Sequence, residues 1–241
     1  MGNIVKNLEA ITDAISKSAI KSGRTLQDIK LIGVTKTVGP ERIRQLVLAG
    51  EAYEASLACS SKMLYLGESR VQEFLPKYEA LLQHMPVPTW HFIGHLQRNK
   101  VKFIIDKVAM IHSVDSLALA QEIDKRAGQS GLVMDILVEI NIADEDSKHG
   151  LKPDETLHFV EELASFSNIR VKGLMCIAPF VENPEDNRLY FEKMRNLLLD
   201  IGTNHPHNQP PSELSMGMSG DYTVAIEEGA TMVRIGTALM G

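Results

Sequence analysis

A lysine at the end of an apolar run is the first candidate for chemistry in this sequence of 241 residues. Lys36 follows Leu31-Ile32-Gly33-Val34, a run typical of a buried strand. If this lysine emerges at the mouth of a closed fold, partial burial favours its neutral amine, the form that attacks a carbonyl carbon. The position is equally compatible with a lysine that ends a strand and extends into solvent.

Two segments near the C-terminus have the composition of an anion-binding site. Ser215-Met216-Gly217-Met218-Ser219-Gly220 and Arg234-Ile235-Gly236-Thr237 each combine glycine with hydroxyl side chains. Turn amides, hydroxyls and a helix N-terminus together bind phosphate, although two ordinary tight turns are the alternative. An aldehyde that carries a phosphate ester would reach from the amine of Lys36 to such a site, and pyridoxal phosphate is the common cofactor of that shape.

The elements that must position these residues alternate between short apolar strands and amphipathic helices. A helix comes first, because apolar residues recur every three or four positions from Ile4 to Ala19. The pattern predicts one α/β domain over residues 1–241, a (β/α)8 TIM barrel with an extra N-terminal helix. A doubly wound open sheet is the alternative, but its Gly-x-Gly-x-x-Gly loop does not occur in the sequence. The predicted strands are 29–36, 64–69, 89–94, 110–115, 135–141, 169–177, 213–218 and 232–237.

The helices between these strands are predicted from proline, glycine and apolar spacing. We expect the helix that begins at Pro40 to end at Gly50, and Pro76 to break or kink the helix over 71–82. A further helix is predicted over 99–107. In a barrel of this kind the reactive groups lie at the C-terminal ends of the strands, so Lys36, Asn141 and Arg234 are expected at one mouth.

Composition limits the classes of partner. Lys and Arg number 25 and Asp and Glu 31, a net charge of −6, which disfavours nucleic acid and anionic membranes as partners. No apolar run reaches the length of a membrane span. Cys59 and Cys176 cannot form a disulfide framework, so the reducing cytoplasm is the expected location.

Seven ordered segments, which together extend over nearly the whole chain, have the character of family signatures. They include Val34-Thr35-Lys36-Thr37, Trp90 to Lys100, Leu214 to Ser219 and Val233 to Thr237. The remaining three are Gly67 to Glu73, Asn141 to Gly150 and Gly173-Leu174-Met175. In this order they resemble the signature segments of the pyridoxal phosphate homeostasis protein family (YggS/PROSC type). The resemblance implies a barrel related to the N-terminal domain of bacterial alanine racemase.

The same resemblance implies which residues bind the cofactor. Pyridoxal phosphate would be held as a Schiff base on Lys36, with Ser219, Gly236 and Thr237 at the phosphate and Arg234 facing the pyridine nitrogen. Ser69, Asn141 and Met216 complete the expected site. An arginine only donates hydrogen bonds, so it leaves the ring nitrogen unprotonated and makes the ring a weaker electron sink.

Two features depart from the family pattern. Residues 51–66 form an unusual insertion, expected to lengthen the loop or helix before the second strand or to provide a new contact surface. The family motif Gly-Glu-Asn reads Gly67-Glu68-Ser69 here, and the shorter serine leaves its contact to the cofactor ring open.

The resemblance implies a carrier or buffer of pyridoxal phosphate that affects amino-acid and keto-acid balance and has no established catalysis. Apo-enzymes that need the cofactor are the expected recipients, and a monomer is the expected state. The alternative is a weak amino-acid racemase with Lys36 as the base on one face. Racemases of the related fold add a second domain with a tyrosine opposite the lysine, and we expect no such domain, because the sequence reaches Gly241 directly after the eighth strand.

The remaining histidines and cysteine are assigned ordinary roles. His91 and His95 are four residues apart, but at a strand end this spacing does not align the side chains, so no metal site is predicted. Satisfied histidines at the barrel mouth are expected instead. His205 and His207 are expected to be solvated in a polar loop, and Cys176 to be a buried apolar residue that could touch the cofactor.

Overall fold

The strands of the protein form one closed barrel. The computed structural model describes residues 2–57, 62–83, 87–145, 148–204 and 210–241, so Cys59, His205 and His207 lie outside the described residues. Eight parallel strands pair in chain order, and the last pairs with the first. The predicted (β/α)8 barrel is therefore confirmed. The strands are β1 (Lys30–Val34), β2 (Leu64–Glu68), β3 (Trp90–Phe92), β4 (Met110–Val114), β5 (Met134–Ile140), β6 (Ile169–Cys176), β7 (Glu213–Met218) and β8 (Met232–Ile235).

Helices surround this barrel. None of those in the described residues is long and apolar enough to cross a membrane. The extra N-terminal helix is present, and it packs its apolar face against the second, seventh and eighth helices. The helices are α1 (Gly2–Lys21), α2 (Pro40–Ser56), α3 (Val71–Leu82), α4 (Leu117–Gln129), α5 (Thr156–Leu163), α6 (Arg188–Asn204), α7 (Tyr222–Glu227) and α8 (Thr237–Met240).

Alternation along the strands separates two apolar layers. One layer fills the barrel interior and consists of Ile32, Met110, Leu137, Met175 and Met232. The intervening strand residues point outward and pack with the apolar faces of the helices in a larger core. The parity of a residue along its strand therefore decides whether its side chain points into the barrel.

Helix α2 does not end where the sequence predicted. It continues through Gly50 to Ser56, because Gly50 serves the packing of α2 on β2: a Cβ at this position would lie 2.3 Å from Leu64 Cδ2. Glu54, one turn further on, accepts hydrogen bonds from the amides of Met63 and Leu64 at 2.7 and 2.8 Å. The described part of segment 51–66 thus extends α2 and fastens the start of β2.

One further helix prediction is wrong, and another is answered in part. Pro76 lies inside α3, so the helix predicted over 71–82 is present and continues to Leu82 without a break, which was one of the two outcomes expected of this proline. A proline removes one N–H and so one hydrogen bond, which the buried face of the helix can offset. Residues 98–103 form a 3-10 helix instead of the α-helix predicted over 99–107.

Candidate cofactor site at the barrel mouth

Lys36 lies just beyond the end of β1, at the C-terminal mouth of the barrel. Its side chain is exposed, which agrees with the second of the two possibilities that the sequence left open, a lysine that extends into solvent. The next residue, Thr37, has φ of 64°, a left-handed conformation that is uncommon for a residue other than glycine. The chain therefore turns sharply after Lys36, and strained backbone of this kind is concentrated at functional sites.

A buried ion pair fixes the residue before this lysine. Thr35 is buried, and its hydroxyl donates to Glu68 Oε1 at 2.6 Å. Lys77, on α3, donates to the same oxygen at 2.5 Å and to the carbonyl of Thr35 at 2.8 Å. The backbone that leads to Lys36 is thus held from two neighbouring elements by charge-assisted hydrogen bonds.

Arg234, on β8, is buried in the barrel and is held by three hydrogen bonds. Nη1 donates to the carbonyl and hydroxyl oxygens of Ser215 at 2.7 Å each, and Nη2 donates to the carbonyl of Cys176 at 2.8 Å. Burial lowers the pKa of Arg234, but an arginine keeps its proton in proteins. A guanidinium has five N–H groups, so among the described residues two remain available to a ligand.

A chain of neutral side chains continues from Arg234 through the barrel interior. Ser215 Oγ lies 3.0 Å from His112 Nδ1, and His112 Nε2 lies 2.9 Å from His91 Nδ1. Burial lowers the pKa of His112 well below its usual value and that of His91 to about 3, so both rings are neutral at pH 7. His91 was expected at the mouth, but it lies deeper because strand parity turns it into the barrel.

The turns after β7 and β8 present unpaired amides. Asp221 holds the first turn in place through two hydrogen bonds. Its Oδ1 accepts a hydrogen bond from the amide of Met218 at 2.7 Å, and its Oδ2 accepts one from Asn187 Nδ2 at 2.8 Å. In the described residues the amides of Ser219 and Gly220 make no hydrogen bond. Gly236 and Thr237 open α8, whose first amides have no partner within the helix.

The opposite side of the mouth contains a cavity of about 290 Å³. It is lined by Gly94, His95, Asn141 and His149, among others, and Gly94 packs so tightly on Ser69 that a Cβ would lie 2.2 Å from the Ser69 carbonyl oxygen. The amide group of Asn141 holds its own loop, since Nδ2 donates to the carbonyl of Glu145 at 2.8 Å. Ser69 and Asn141 thus shape this side of the mouth.

Glu139 is a residue of this cavity that the sequence analysis missed. Burial, reinforced by the charge of Asp115 and opposed by that of Arg234, raises the pKa of Glu139 to about 7. Its Oε2 is buried and has no hydrogen-bond partner among the described residues. Glu139 lies two positions after the interior residue Leu137, so strand parity would have identified it.

Two other expected residues point away from the barrel interior. The side chains of Met216 and Cys176 are fully buried in the core between strands and helices. Burial raises the pKa of the Cys176 thiol to about 12, so the thiol is neutral. Their carbonyl and amide groups, rather than their side chains, face neighbouring strands, as the bond from Arg234 to the Cys176 carbonyl illustrates.

The sequence is similar to proteins with known names. Residues 47–241 match the family described as alanine racemase, N-terminal domain. The pyridoxal phosphate homeostasis protein of Aquifex aeolicus is 44% identical over 239 residues, which cover 99% of this chain and 98% of that protein. The protein of that name from Escherichia coli is 33% identical over 247 residues, which cover 100% of this chain and 97% of that protein.

Solved structures show the same similarity. PipY of Synechococcus elongatus without PLP superposes with a TM-score of 0.83 at 31% identity, over 99% of this chain and 100% of that chain. PipY with PLP bound gives a TM-score of 0.81 at 30% identity over the same shares. An alanine racemase of Clostridium difficile superposes with a TM-score of 0.68 at 20% identity, over 99% of this chain and 56% of that chain. At this identity the similarity shows only that the two proteins have the same fold.

Proposed function

The chain belongs to the pyridoxal phosphate homeostasis protein family, and from this membership we propose that it binds pyridoxal 5′-phosphate at the barrel mouth and supplies it to other proteins. The observation that carries the proposal is the arrangement of an amine, a buried guanidinium and two turns with unpaired amides at the ends of β1, β7 and β8. The relatives of this name and the PLP-bound PipY structure support it.

Lys36 is the residue that would bond to the cofactor. Bound pyridoxal phosphate supplies an aldehyde, which a lysine amine holds covalently and reversibly. The exposed side chain of Lys36 suits exchange of the cofactor with solvent and with a recipient. The ion pair of Glu68 and Lys77 positions the backbone before this lysine.

The turns after β7 and β8 would hold the phosphate. The amides of Ser219 and Gly220, the hydroxyls of Ser219 and Thr237, and the start of α8 at Gly236 form a set of donors suited to an anion. In β/α barrels a phosphate commonly binds after the seventh and eighth strands, which is where these turns lie.

Arg234 would face the ring nitrogen of the cofactor. Its three hydrogen bonds to Ser215 and Cys176 fix the guanidinium, and the N–H groups that remain donate to an acceptor only. A ring nitrogen that accepts a hydrogen bond stays unprotonated, which makes the ring a poor electron sink. This arrangement favours storage and transfer of the cofactor over racemisation.

We further propose that the recipients are apo-enzymes that depend on pyridoxal phosphate, and that the protein acts as a monomer in the cytoplasm. The buried free thiol of Cys176 suits a reducing compartment. The exposed position of Lys36 at an open mouth suits direct access by a recipient.

Borohydride reduction of the PLP-loaded protein tests the assignment of Lys36, because reduction makes the bond between lysine and cofactor permanent. Peptide mapping by mass spectrometry should place the pyridoxyl group on Lys36, and the Lys36→Ala variant should lose it. Lys148, which also lines the mouth, provides the matched control: Lys148→Ala should be labelled like the wild type. A label on another lysine, or on none, would refute the proposed function.

A further inference from the structure

Three residues from consecutive loops meet on the side of the mouth formed by β3, β4 and β5. His95 follows β3, Asp115 directly follows β4, and His149 lies in the loop after β5. The rings of His95 and His149 stack with centroids 3.8 Å apart and planes 12° apart, and Asp115 Oδ2 lies 3.8 Å from His95 Nδ1. One ligand atom from each of the three lies within 4.8 Å of the others.

This donor set suits a transition-metal ion. Two imidazoles and one carboxylate bind Zn²⁺ in catalytic sites and Fe²⁺ in others, with at least one position left open. Ligand atoms around a tetrahedral Zn²⁺ lie about 3.4 Å apart, given metal–ligand distances near 2.1 Å. The two stacked rings would have to rotate apart for their in-plane nitrogens to converge on one ion, and His95 and His149 are exposed enough to rotate.

The surroundings carry negative charge. Glu139 lines the same cavity as His95 and His149, and its Oε2 is buried without a hydrogen-bond partner among the described residues. The nearby cation Lys148 is paired with Glu145 at 2.7 Å, so its charge is offset. Asp115 and the ionised fraction of Glu139 provide negative charge beside the two histidines, while Arg98 lines a neighbouring cavity together with His95 and Asp115.

We propose that His95, Asp115 and His149 form a binding site for a divalent transition-metal ion, of which Zn²⁺ is the best match. This site is not the pair His91 and His95 that was considered as a metal site from the sequence. His91 does not take part, because it points into the barrel and contacts His112. It uses none of the residues proposed to bind pyridoxal phosphate, so the two proposals can fail separately.

Calorimetric titration of the chelator-treated full chain with ZnCl2 tests this site. We expect one Zn²⁺ bound with a Kd of about 10 µM or tighter, and a loss of at least about 30-fold in His95→Ala and in His149→Ala. His158→Ala is the matched control, because His158 is exposed and lies near Glu161 and Glu162 at 3.9 and 3.8 Å. This control and Lys36→Ala should bind Zn²⁺ like the wild type.

Asp115→Asn keeps the shape of the side chain and gives a second test should a histidine variant fail to fold, which circular dichroism will show. We expect its affinity for Zn²⁺ to fall about 10-fold. Titration with CoCl2 should also produce visible bands typical of a four- or five-coordinate ion in the wild type and not in His149→Ala. Zinc binding that survives in the His95→Ala, His149→Ala double variant, or a Kd weaker than about 10 µM in the wild type, would overturn the proposal.

Discussion

The two sides of the barrel mouth have opposite chemistry. The side formed by β7, β8 and β1 presents amides, hydroxyls, Lys36 and Arg234, which suit an anion. The side formed by β3, β4 and β5 presents imidazoles and carboxylates, including the buried Glu139, which suit a cation. The two halves of one opening thus have complementary charge. Arg234 on one side and Glu139 on the other interact electrostatically across the mouth.

The two sides are also built differently. The side formed by β7, β8 and β1, here called the anion side, depends mainly on backbone groups and on a buried framework. In this framework Glu68 and Lys77 fix Thr35, and the two buried histidines fix Ser215 and Arg234. The side formed by β3, β4 and β5, here called the cation side, depends on side chains that belong to loops. These loops are held by neutral hydrogen bonds, such as the one that Ser113 Oγ donates to the Gly94 carbonyl. We therefore expect damage to the framework to affect the two sides unequally.

Lys77→Met tests this framework and should have the largest effect. Glu68 would lose its cation while fully buried, and breaking a buried pair in this way costs about 3–5 kcal/mol of the free energy of unfolding. We expect urea denaturation to show that loss, and the remaining folded protein to bind pyridoxal phosphate more weakly but Zn²⁺ normally.

Lys17→Met is the matched control, because Lys17 forms an exposed ion pair with Asp13. Such a pair contributes only about 0–1 kcal/mol, so the control should be nearly as stable as the wild type. The double variant Glu68→Gln, Lys77→Met should recover part of the lost stability. Equal losses in Lys77→Met and Lys17→Met would contradict a structural role for the buried pair.

Gly236→Val should have the next largest effect. Gly236 points to the mouth beside Val34, where a Cβ would lie 3.5 Å from Val34 Cβ, and the additional methyl groups would occupy space proposed for the phosphate. We expect about 100-fold weaker binding of pyridoxal phosphate, equivalent to about 2.7 kcal/mol, in a fluorescence titration. Zn²⁺ affinity should stay unchanged.

The control for this substitution is Gly202→Ala on α6, where the nearest atom that a Cβ would meet among the described residues is Pro210 Cβ at 3.8 Å. It should bind pyridoxal phosphate like the wild type. Arg234→Ala should weaken binding less than Gly236→Val does, because it removes a partner of the ring without blocking the phosphate. The reverse order would argue against the phosphate position.

The sequence predicted the barrel, and the position of the turns after β7 and β8, for a physical reason. Each strand is marked by a run of apolar residues, and the turns after β7 and β8 are marked by glycine and hydroxyl residues close to the strands that carry them. The end of α2 was missed because Gly50, which resembles a helix stop, is required by the close approach of Leu64. A glycine can end a helix or can allow a neighbouring side chain to approach the helix closely, and only the packing distinguishes the two.

The cation side was not predicted because its residues are far apart in sequence. His95, Asp115 and His149 have no shared motif, and their proximity arises only when three loops meet. The sequence also left open whether Lys36 is partly buried or exposed, because no residue pattern around it decides between the two. Glu139, His91 and His112 could have been placed inside the barrel by strand parity, but their contacts with other strands could not.

Glu139→Gln should have the smallest effect of these substitutions. Its readout is the pH dependence of the free energy of unfolding, which reports on the charge of the cation side. Burial raises the pKa of Glu139 in the folded chain to about 7 from the usual glutamate value of 4.5. A raised pKa means that the folded state holds the proton more tightly, so the wild type is fully stabilised below about pH 4.5 and loses that stability as the pH rises through about 7. The glutamine stays neutral and avoids this loss.

We therefore expect Glu139→Gln to be as stable as the wild type at pH 4.5 and more stable by about 1–2 kcal/mol at pH 8, measured by urea denaturation with chelator and without pyridoxal phosphate. Glu9→Gln, on the exposed face of α1, is the matched control, and it should stay within about 0.5 kcal/mol of the wild type in the same measurement. A difference that stays constant from pH 4.5 to 8 would mean that the carboxylate is not destabilised by its burial beside Asp115, and the contrast between the two sides of the mouth would lose its electrostatic basis.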